Sequence, residues 1–355
     1  MKRLVIVHRA LSNLRTGGAY YLANTISYLQ SRKINMEVVD IGNLPTSIRR
    51  HRLLIVIYLC KHYWKYHQGM FHFTNHNLYF YLLVPYFLSR MRGSKYGCAC
   101  HLAQYPLRKN LIMRWFEFLC EYLFLKGASL LIIPSEAATQ QFKIFHLKKD
   151  KCIIINPAPN VVDTSKPRFR GHVRTLLFVG HITWRKGLDT IVKAMALLKD
   201  LKLHLEVVGI IDKNTPYWKE LARTIEHYDL GKKIQFRGGL QPEELKRLYR
   251  KADIFVFPSR HETYGMVLME AMSFGLPVVA STIPTTSEVI RDNINGILYP
   301  PEDIKALASA IRRIASDPKL RSRIIWNNKE RTKSTRTWED VGEENLSAIA
   351  YFLKD

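Results

Sequence analysis

The chain has 355 residues, 47% of them hydrophobic and 24% charged, a composition that suits globular folding and a length that exceeds one comfortable hydrophobic core. Its 54 Lys and Arg against 30 Asp and Glu give a net charge of +24, which draws polyanions to the surface. The longest apolar runs, LLIVIYLC (53–60) and LYFYLLVPYFL (78–88), fall well short of the roughly 20 residues a membrane-spanning helix needs. The five cysteines, with no C-x-x-C spacing, suggest neither a disulfide framework nor a zinc site.

In chain order, MKRLVIVHRA is too short in its apolar part for a signal peptide and RLVIVH (3–8) reads as a first strand, so a cytoplasmic protein with reduced thiols is expected. A turn containing Gly17 and Gly18 precedes AYYLANTISYLQSRK (19–33), whose apolar residues recur at helical spacing. Strands are predicted at 36–41, 69–74, 95–101 and 130–135, and a helix over 111–124. The Pro- and Asn-rich stretch 155–172 reads as a linker. Beyond it the rhythm restarts with a strand at 175–181, a helix at 188–200 and a strand at 203–209. A helix near 216–228, a strand at 233–238 and a helix at 242–252 follow. Then comes the strand ADIFVFPS, the helix MVLMEAMSF stopped by Gly275, and the strand PVVAS. Alternating strands and helices in both halves predict two doubly wound α/β domains in tandem, 1–164 and 165–337.

Charge is distributed unevenly. Residues 1–160 hold 22 Lys and Arg but 6 Asp and Glu, a net +16, and no acid lies between Asp40 and Glu117. Eleven Lys and Arg, six His and many aromatic residues fill that interval, a pattern suited to an anionic membrane surface or a phosphorylated or lipid-linked substrate. No RNA- or DNA-binding motif accompanies the charge, so nucleic acid is not expected as a partner.

Several chemistries are excluded by missing motifs. No G-x-G-x-x-G follows the first strand, no phosphate-binding G-x-x-x-x-G-K-[ST] loop occurs, and there is no G-x-S-x-G elbow. No Asp-x-Asp is present to clamp a divalent metal on a diphosphate. A nucleotide diphosphate would therefore be neutralised by helix N-termini and basic side chains. GHITWRKGLDTI (180–191) puts Arg185, Lys186 and Gly187 between a strand end and a helix start, where open α/β sheets bind ligands. HETYGM (261–266) is a second such junction, its backbone N–H groups at Tyr264–Val267 opening a helix. Glu270 lies one turn into that helix, where a carboxylate can accept two bonds from a ribose diol, and Glu262 lies in the loop before it.

Taken together, these segments resemble the retaining family 4 glycosyltransferases of the GT-B fold, over nearly the whole chain. The most specific match is the E-x7-E pair Glu262 and Glu270 within FPSRHETYGMVLMEAMSFGLPVVAS. Gly17-Gly18, VGHITWRKG (179–187), EELKRLYRKADIFVFPS, SEVIRDNINGILYPPED (287–303) and the final TWEDVGEENLSAIAYFL (337–353) support it. The chain departs from the pattern at His181, where Arg is usual, at Ile211, where a glycine is common, and in the linker NPAPN.

The resemblance implies two Rossmann-like domains facing across a cleft, the first binding acceptor and the second donor, with the helix 338–355 packing back on the first. It implies that Glu270 holds ribose hydroxyls, that Glu262 faces the donor sugar, and that His101 lies near the transferred group. His181, Arg185 and Lys186 would bind diphosphate; Tyr264, Gly265, Met266 and Val267 would offer backbone contacts; Gly17 and Gly18 would approach the phosphates. Arg260 reads as a loop-positioning or surface residue. The implied reaction moves a hexose or N-acetylhexosamine from a UDP- or GDP-sugar to a glycan, glycolipid or lipid-linked acceptor, with retention and without metal or other cofactor. A basic, aromatic-laced first domain and the helix at 110–126 then suggest peripheral association with the cytoplasmic membrane face. Two alternatives use the same fold: a non-catalytic nucleotide-sugar or membrane-surface binding protein, favoured by His181, and a nucleotide-sugar 2-epimerase, which has no need of the full Glu262–Glu270 block.

Overall fold

The structure, a computed structural model, describes residues 4–8, 17–40, 57, 60–61, 71–74, 79–93, 95–100 and 111–354. The chain forms two compact units, Met1–Pro157 with Thr337–Asp355, and Ala158–Arg336.

In the first unit β1 (Leu4–His8), β2 (Met36–Asp40), β3 (Phe71–Thr74), β4 (Tyr96–Ala99), β5 (Leu130–Ile133) and β6 (Cys152–Ile154) form one sheet in the order β2-β1-β3-β4-β5-β6. Every pairing is parallel. Helices α1 (Gly17–Ser31), α2 (Tyr79–Arg92), α3 (Leu111–Gly127) and α4 (Glu136–Phe142) connect the strands. Both faces of a parallel sheet are covered by such helices, so its strands read as continuous apolar runs; YGCA and LLII are buried at every position. Gly17 and Gly18 are the first residues of α1 rather than a turn ahead of it. The helix stops at Ser31, two residues short of the predicted end, because Lys33 turns into the left-handed region at φ 54°.

The second unit repeats the scheme with β7 (Thr175–Val179), β8 (His204–Val208), β9 (Ile234–Gly238), β10 (Ile254–Phe257), β11 (Val278–Ser281) and β12 (Ile297–Tyr299). Their order is β12-β11-β10-β7-β8-β9, again all parallel. Its helices are α5 (Leu188–Ala196), α6 (Pro216–His227), α7 (Pro242–Lys251), α8 (Met266–Ser273), α9 (Pro284–Val289), α10 (Ile304–Ser316) and α11 (Pro318–Arg331). One apolar cluster, built on Leu176, Phe178, Ile191, Leu205 and Ile311, fills one side of the sheet, and another, built on Leu177, Phe255, Leu268 and Met272, fills the other. Alternate residues of β7 and β10 point into each, as the period of a strand requires.

The units divide at 157/158, where the sequence reading placed the boundary at 164/165. Residues 158–163 are drawn into the second unit because Val161 is buried beside Tyr249 and Phe274 and the Asp163 N–H donates to Ser273 Oγ at 3.2 Å. After Arg336 the chain returns to the first unit as α12 (Trp338–Lys354), which packs on α1. Tyr21 Oη and the Asn345 side chain exchange hydrogen bonds of 3.1 and 2.8 Å. Gly342 is required there: a Cβ would stand 2.2 Å from the Tyr28 ring.

Ligands of open α/β sheets bind past the carboxyl ends of strands where the strand order reverses. In the second unit that reversal lies between β7 and β10, which pair Ile254 with Leu176 and Phe255 with Leu177. The loops leaving these two strands, 180–187 and 258–265, are consequently neighbours although far apart in sequence. In the first unit the reversal lies between β1 and β3, and Gly17 and Gly18 open the helix that follows β1.

Candidate functional site

The loop after β7 runs through Gly180 and His181 into a single 3-10 turn, Trp184–Lys186, and ends at Gly187. Gly187 has φ 68°, and a Cβ on it would lie 2.1 Å from the Pro258 carbonyl oxygen. Only glycine lets the two loops approach this closely. The loop after β10 ends at Gly265, φ 77°, which caps α8 without any side-chain hydrogen bond. No acidic side chain occupies the first turn of α8, so its N-terminal N–H groups keep their partial positive charge for an incoming anion.

Glu262 and the two basic residues meet between these loops. Lys186 Nζ donates to Glu262 Oε2 in a tight ion pair, and Arg185 Nη1 lies 3.4 Å from Glu262 Oε1. The side chains of Lys186 and Glu262 are 13% and 11% exposed, so water screens the pair little. Burial alone would raise the Glu262 carboxyl, but the charges of Lys186 and Arg185, with hydrogen bonds from Lys186 and the Thr263 N–H, outweigh it and hold the group down at about 2. Burial and the neighbouring Arg185 lower Lys186 despite the attraction of Glu262. Two cations share one carboxylate, which leaves a net positive charge beside a helix N-terminus. Such an arrangement can accept an anion.

Arg260 does not face this charge. It is 9% exposed and bridges the loops by donating to both oxygens of Asp189 at 3.0 and 2.8 Å, to Glu302 Oε1 at 2.7 Å and to the Trp184 carbonyl at 2.5 Å. Burial would lower it, but the bonds to Asp189 and Glu302 raise it. Its guanidinium carbon lies 4.8 Å from the Trp184 ring centroid. Tyr217 Oη donates to Asp189 Oδ1 at 2.8 Å, and Arg185 Nη1 donates to the His261 carbonyl at 2.9 Å. Thr285 Oγ1 donates to the Glu262 carbonyl at 2.6 Å. Of the two readings of Arg260, loop-positioning or surface residue, its burial and these bonds match the first. Asp189, Tyr217, Glu302 and Thr285, which complete the lacework, carry no local sequence signal, since each finds its partner through strand order rather than spacing.

Glu270 lies one turn into α8 and is 2% exposed. Its Oε1 accepts from the Asn160 N–H at 3.0 Å and its Oε2 from Tyr249 Oη at 2.8 Å. Burial pushes its carboxyl up from the ordinary value, against hydrogen bonds from Tyr249 and the backbone of Asn160 and Val161. In this structure Glu270 fastens the segment entering the second unit, a role that sequence reading did not assign it.

The structure therefore gathers Arg185, Lys186, Glu262, Tyr264, Gly265, Met266 and Val267 at one reversal point. His181, partly buried, lies on the first of the two loops. Gly17 and Gly18 belong to the first unit, and His101 lies outside the described residues. Among those residues, no group of three or more His, Cys, Asp or Glu side chains could hold a metal ion.

Residues 163–331 match the family Glycosyl transferases group 1. An uncharacterized glycosyltransferase of Methanocaldococcus jannaschii is 28% identical over 79% of this chain and 73% of its own. Among solved structures, sucrose-phosphate synthase from Thermosynechococcus elongatus superposes with a TM-score of 0.81 at 21% identity, covering 100% of both chains. Anabaena HepE in complex with UDP-glucose does so with a TM-score of 0.76 at 17% identity, over 98% of this chain and 99% of that one. These superpositions show the fold, GT-B, built on the two parallel α/β units described above.

Proposed function

We propose that the chain, whose residues 163–331 match the family Glycosyl transferases group 1, is a retaining, metal-independent glycosyltransferase whose nucleotide-sugar donor binds at the β7/β10 reversal point. The observation that carries this reading is the shared carboxylate: Lys186 and Arg185 converge on Glu262 beside an α8 N-terminus that no side chain caps. A diphosphate brings at least two negative charges to a place with surplus positive charge and idle N–H donors.

The chemistry follows from these groups. Breaking the bond between the sugar and the diphosphate builds negative charge on the leaving oxygens and positive charge on the sugar. Lys186, Arg185 and the N–H groups at Gly265–Val267 would stabilise the first. Glu262, ionised at any ordinary pH, serves as hydrogen-bond acceptor and counter-charge to the sugar rather than as a proton donor. Glu262 has no proton to give the leaving group, so a front-face course in which the departing phosphate takes the acceptor proton suits the site. His181 and Gly17-Gly18 are assigned to the phosphates and His101 to the region of the transferred sugar on the resemblance alone. Glu270 accepts from Asn160 and Tyr249, and a carboxylate has about four acceptor positions; the remaining ones would serve the ribose hydroxyls.

UDP- and GDP-linked hexoses or N-acetylhexosamines are the proposed donors, and the UDP-glucose complex of HepE supports a donor of that class. A glycan, glycolipid or lipid-linked acceptor and association with an anionic membrane surface are proposed from the basic first unit. To test the reaction type, candidate sugar nucleotides are incubated with the protein in excess EDTA, and the anomer released is followed by proton NMR. The reading predicts nucleotide release that EDTA does not suppress, with the first-formed sugar keeping its donor configuration. Release that requires magnesium, or an inverted anomer, would contradict it.

A further inference from the structure

Amphipathic helices of globular proteins turn apolar residues inward and charges outward, and α3 does the reverse with its acids. Glu117 and Glu121 are 2% and 0% exposed, while Leu111, Ile112, Trp115 and Leu119 are 59%, 80%, 65% and 52% exposed. Leu111, Trp115 and Leu119 recur every four residues, so they form one outward stripe about 12 Å long. The stripe continues through partly buried Tyr122 to exposed Lys126, whose Nζ donates to Tyr122 Oη at 2.6 Å. The neighbouring helix adds Phe87 and Met91, four residues apart and 55% and 73% exposed. The two helices pack side by side, with Gly127 set against the Tyr86 ring. The stripe on α3 is itself continuous exposed apolar surface, which marks an interaction site.

We propose that the outward face of α3, with the adjoining end of α2, docks on the surface of an anionic lipid bilayer. This names the surface for the membrane association proposed above and rests on that reading. Charge selects the occupant. Residues 1–160 carry a net +16, and α3 withdraws both of its carboxylates from the outer face, so two copies meeting there would bring like charge together. An anionic bilayer supplies the opposite charge and an apolar layer for Ile112 and Trp115, with Tyr122 and Lys126 suited to the headgroup level. Among the described residues no helix is long and apolar enough to cross a membrane; α3 would lie in the interface.

The test is flotation at low ionic strength with vesicles of phosphatidylglycerol and phosphatidylcholine, beside vesicles of phosphatidylcholine alone. Wild type is compared with Ile112→Glu/Trp115→Glu, with the milder Trp115→Gln, and with Trp326→Glu, an exposed tryptophan of the second unit. We expect wild type and Trp326→Glu to float with anionic vesicles, the double variant to bind at least about tenfold more weakly, about 1.4 kcal/mol, and Trp115→Gln to fall between. Nucleotide diphosphate binding, measured in the same preparations, should be unchanged in all three variants. Absence of wild-type flotation would overturn the membrane reading and this surface together, and would leave the donor site standing. Unchanged flotation of the double variant would overturn this surface alone. A wild-type dimer in sedimentation that the double variant makes monomeric, with flotation unchanged, would assign the face to a second copy instead.

Discussion

The two units share a parallel doubly wound sheet and use their charges in opposite ways. In the second, acidic side chains are partnered by cations within the loops: Glu262 by Lys186 and Arg185, Asp189 and Glu302 by Arg260. In the first, α3 buries Glu117 and Glu121 and sends Leu111, Ile112, Trp115 and Leu119 outward. One architecture thus carries two arrangements of charge. On the reading proposed above, charge paired at a strand-order reversal would receive an anion, whereas charge withdrawn from a helix face would leave a surface for an apolar, anionic partner.

The sharpest way to break this contrast is to remove the hub of the paired side. Arg260→Ala strands Asp189 and Glu302 and removes the link to Trp184, and breaking a buried pair costs about 3–5 kcal/mol. The Glu302 side chain is 58% exposed and its share is screened, so we expect about 3 kcal/mol in urea unfolding. A loss below about 1 kcal/mol would place Arg260 among ordinary surface pairs.

Glu270→Ala is next. It leaves the Asn160 N–H and Tyr249 Oη without their acceptor, at about 1–3 kcal/mol, whereas Glu270→Gln keeps one acceptor oxygen and should cost less. If both variants melt like wild type, the anchoring of segment 158–163 by this carboxylate is wrong.

Acid titration probes Glu262 from a third side. Its folded value, about 2, lies below the ordinary 4.5, so its stabilisation is complete above about pH 4.5 and is lost as pH falls toward 2, on the order of 3 kcal/mol. Glu262→Gln should flatten the fall in unfolding free energy over that window. An identical acid profile in the two proteins would contradict the ion pair. The smallest effect belongs to the first unit: Arg32, half exposed and 3.7 Å from Glu343, should be replaceable by Ala with no measurable change in melting temperature.

Much of the fold was legible because apolar runs and glycine stops report strands and helix ends locally. The β10–α8–β11 passage is the clearest case: FVF, Gly275 and PVVAS each fall where the sequence places them. The lead residues of the site, Lys186 and Glu262, were also visible, one at each of two strand-to-helix junctions. Their contact was not. It depends on β10 lying beside β7, a consequence of strand order across 76 residues of chain. The same reason hides Asp189, Glu302 and Thr285. Glu270 could be picked out from its apolar setting, but its partner Tyr249 comes from α7 and its partner Asn160 from the unit boundary, which the sequence placed seven residues late because the Pro- and Asn-rich stretch looks like free linker. The reversed face of α3 escaped for a simpler reason: helical periodicity does not say which side faces the sheet.

The most direct test of the central claim is calorimetric titration of UDP, GDP and ADP into wild type, Lys186→Ala and Glu262→Gln. We predict that wild type binds one nucleotide series and that Lys186→Ala weakens it by about 2–5 kcal/mol, the cost of losing a buried hydrogen-bonded charge. Glu262→Gln should keep or tighten the binding of the bare diphosphate, since it frees Lys186 and Arg185 for the anion. Equal affinity in wild type and Lys186→Ala would contradict a diphosphate site at the β7/β10 reversal point.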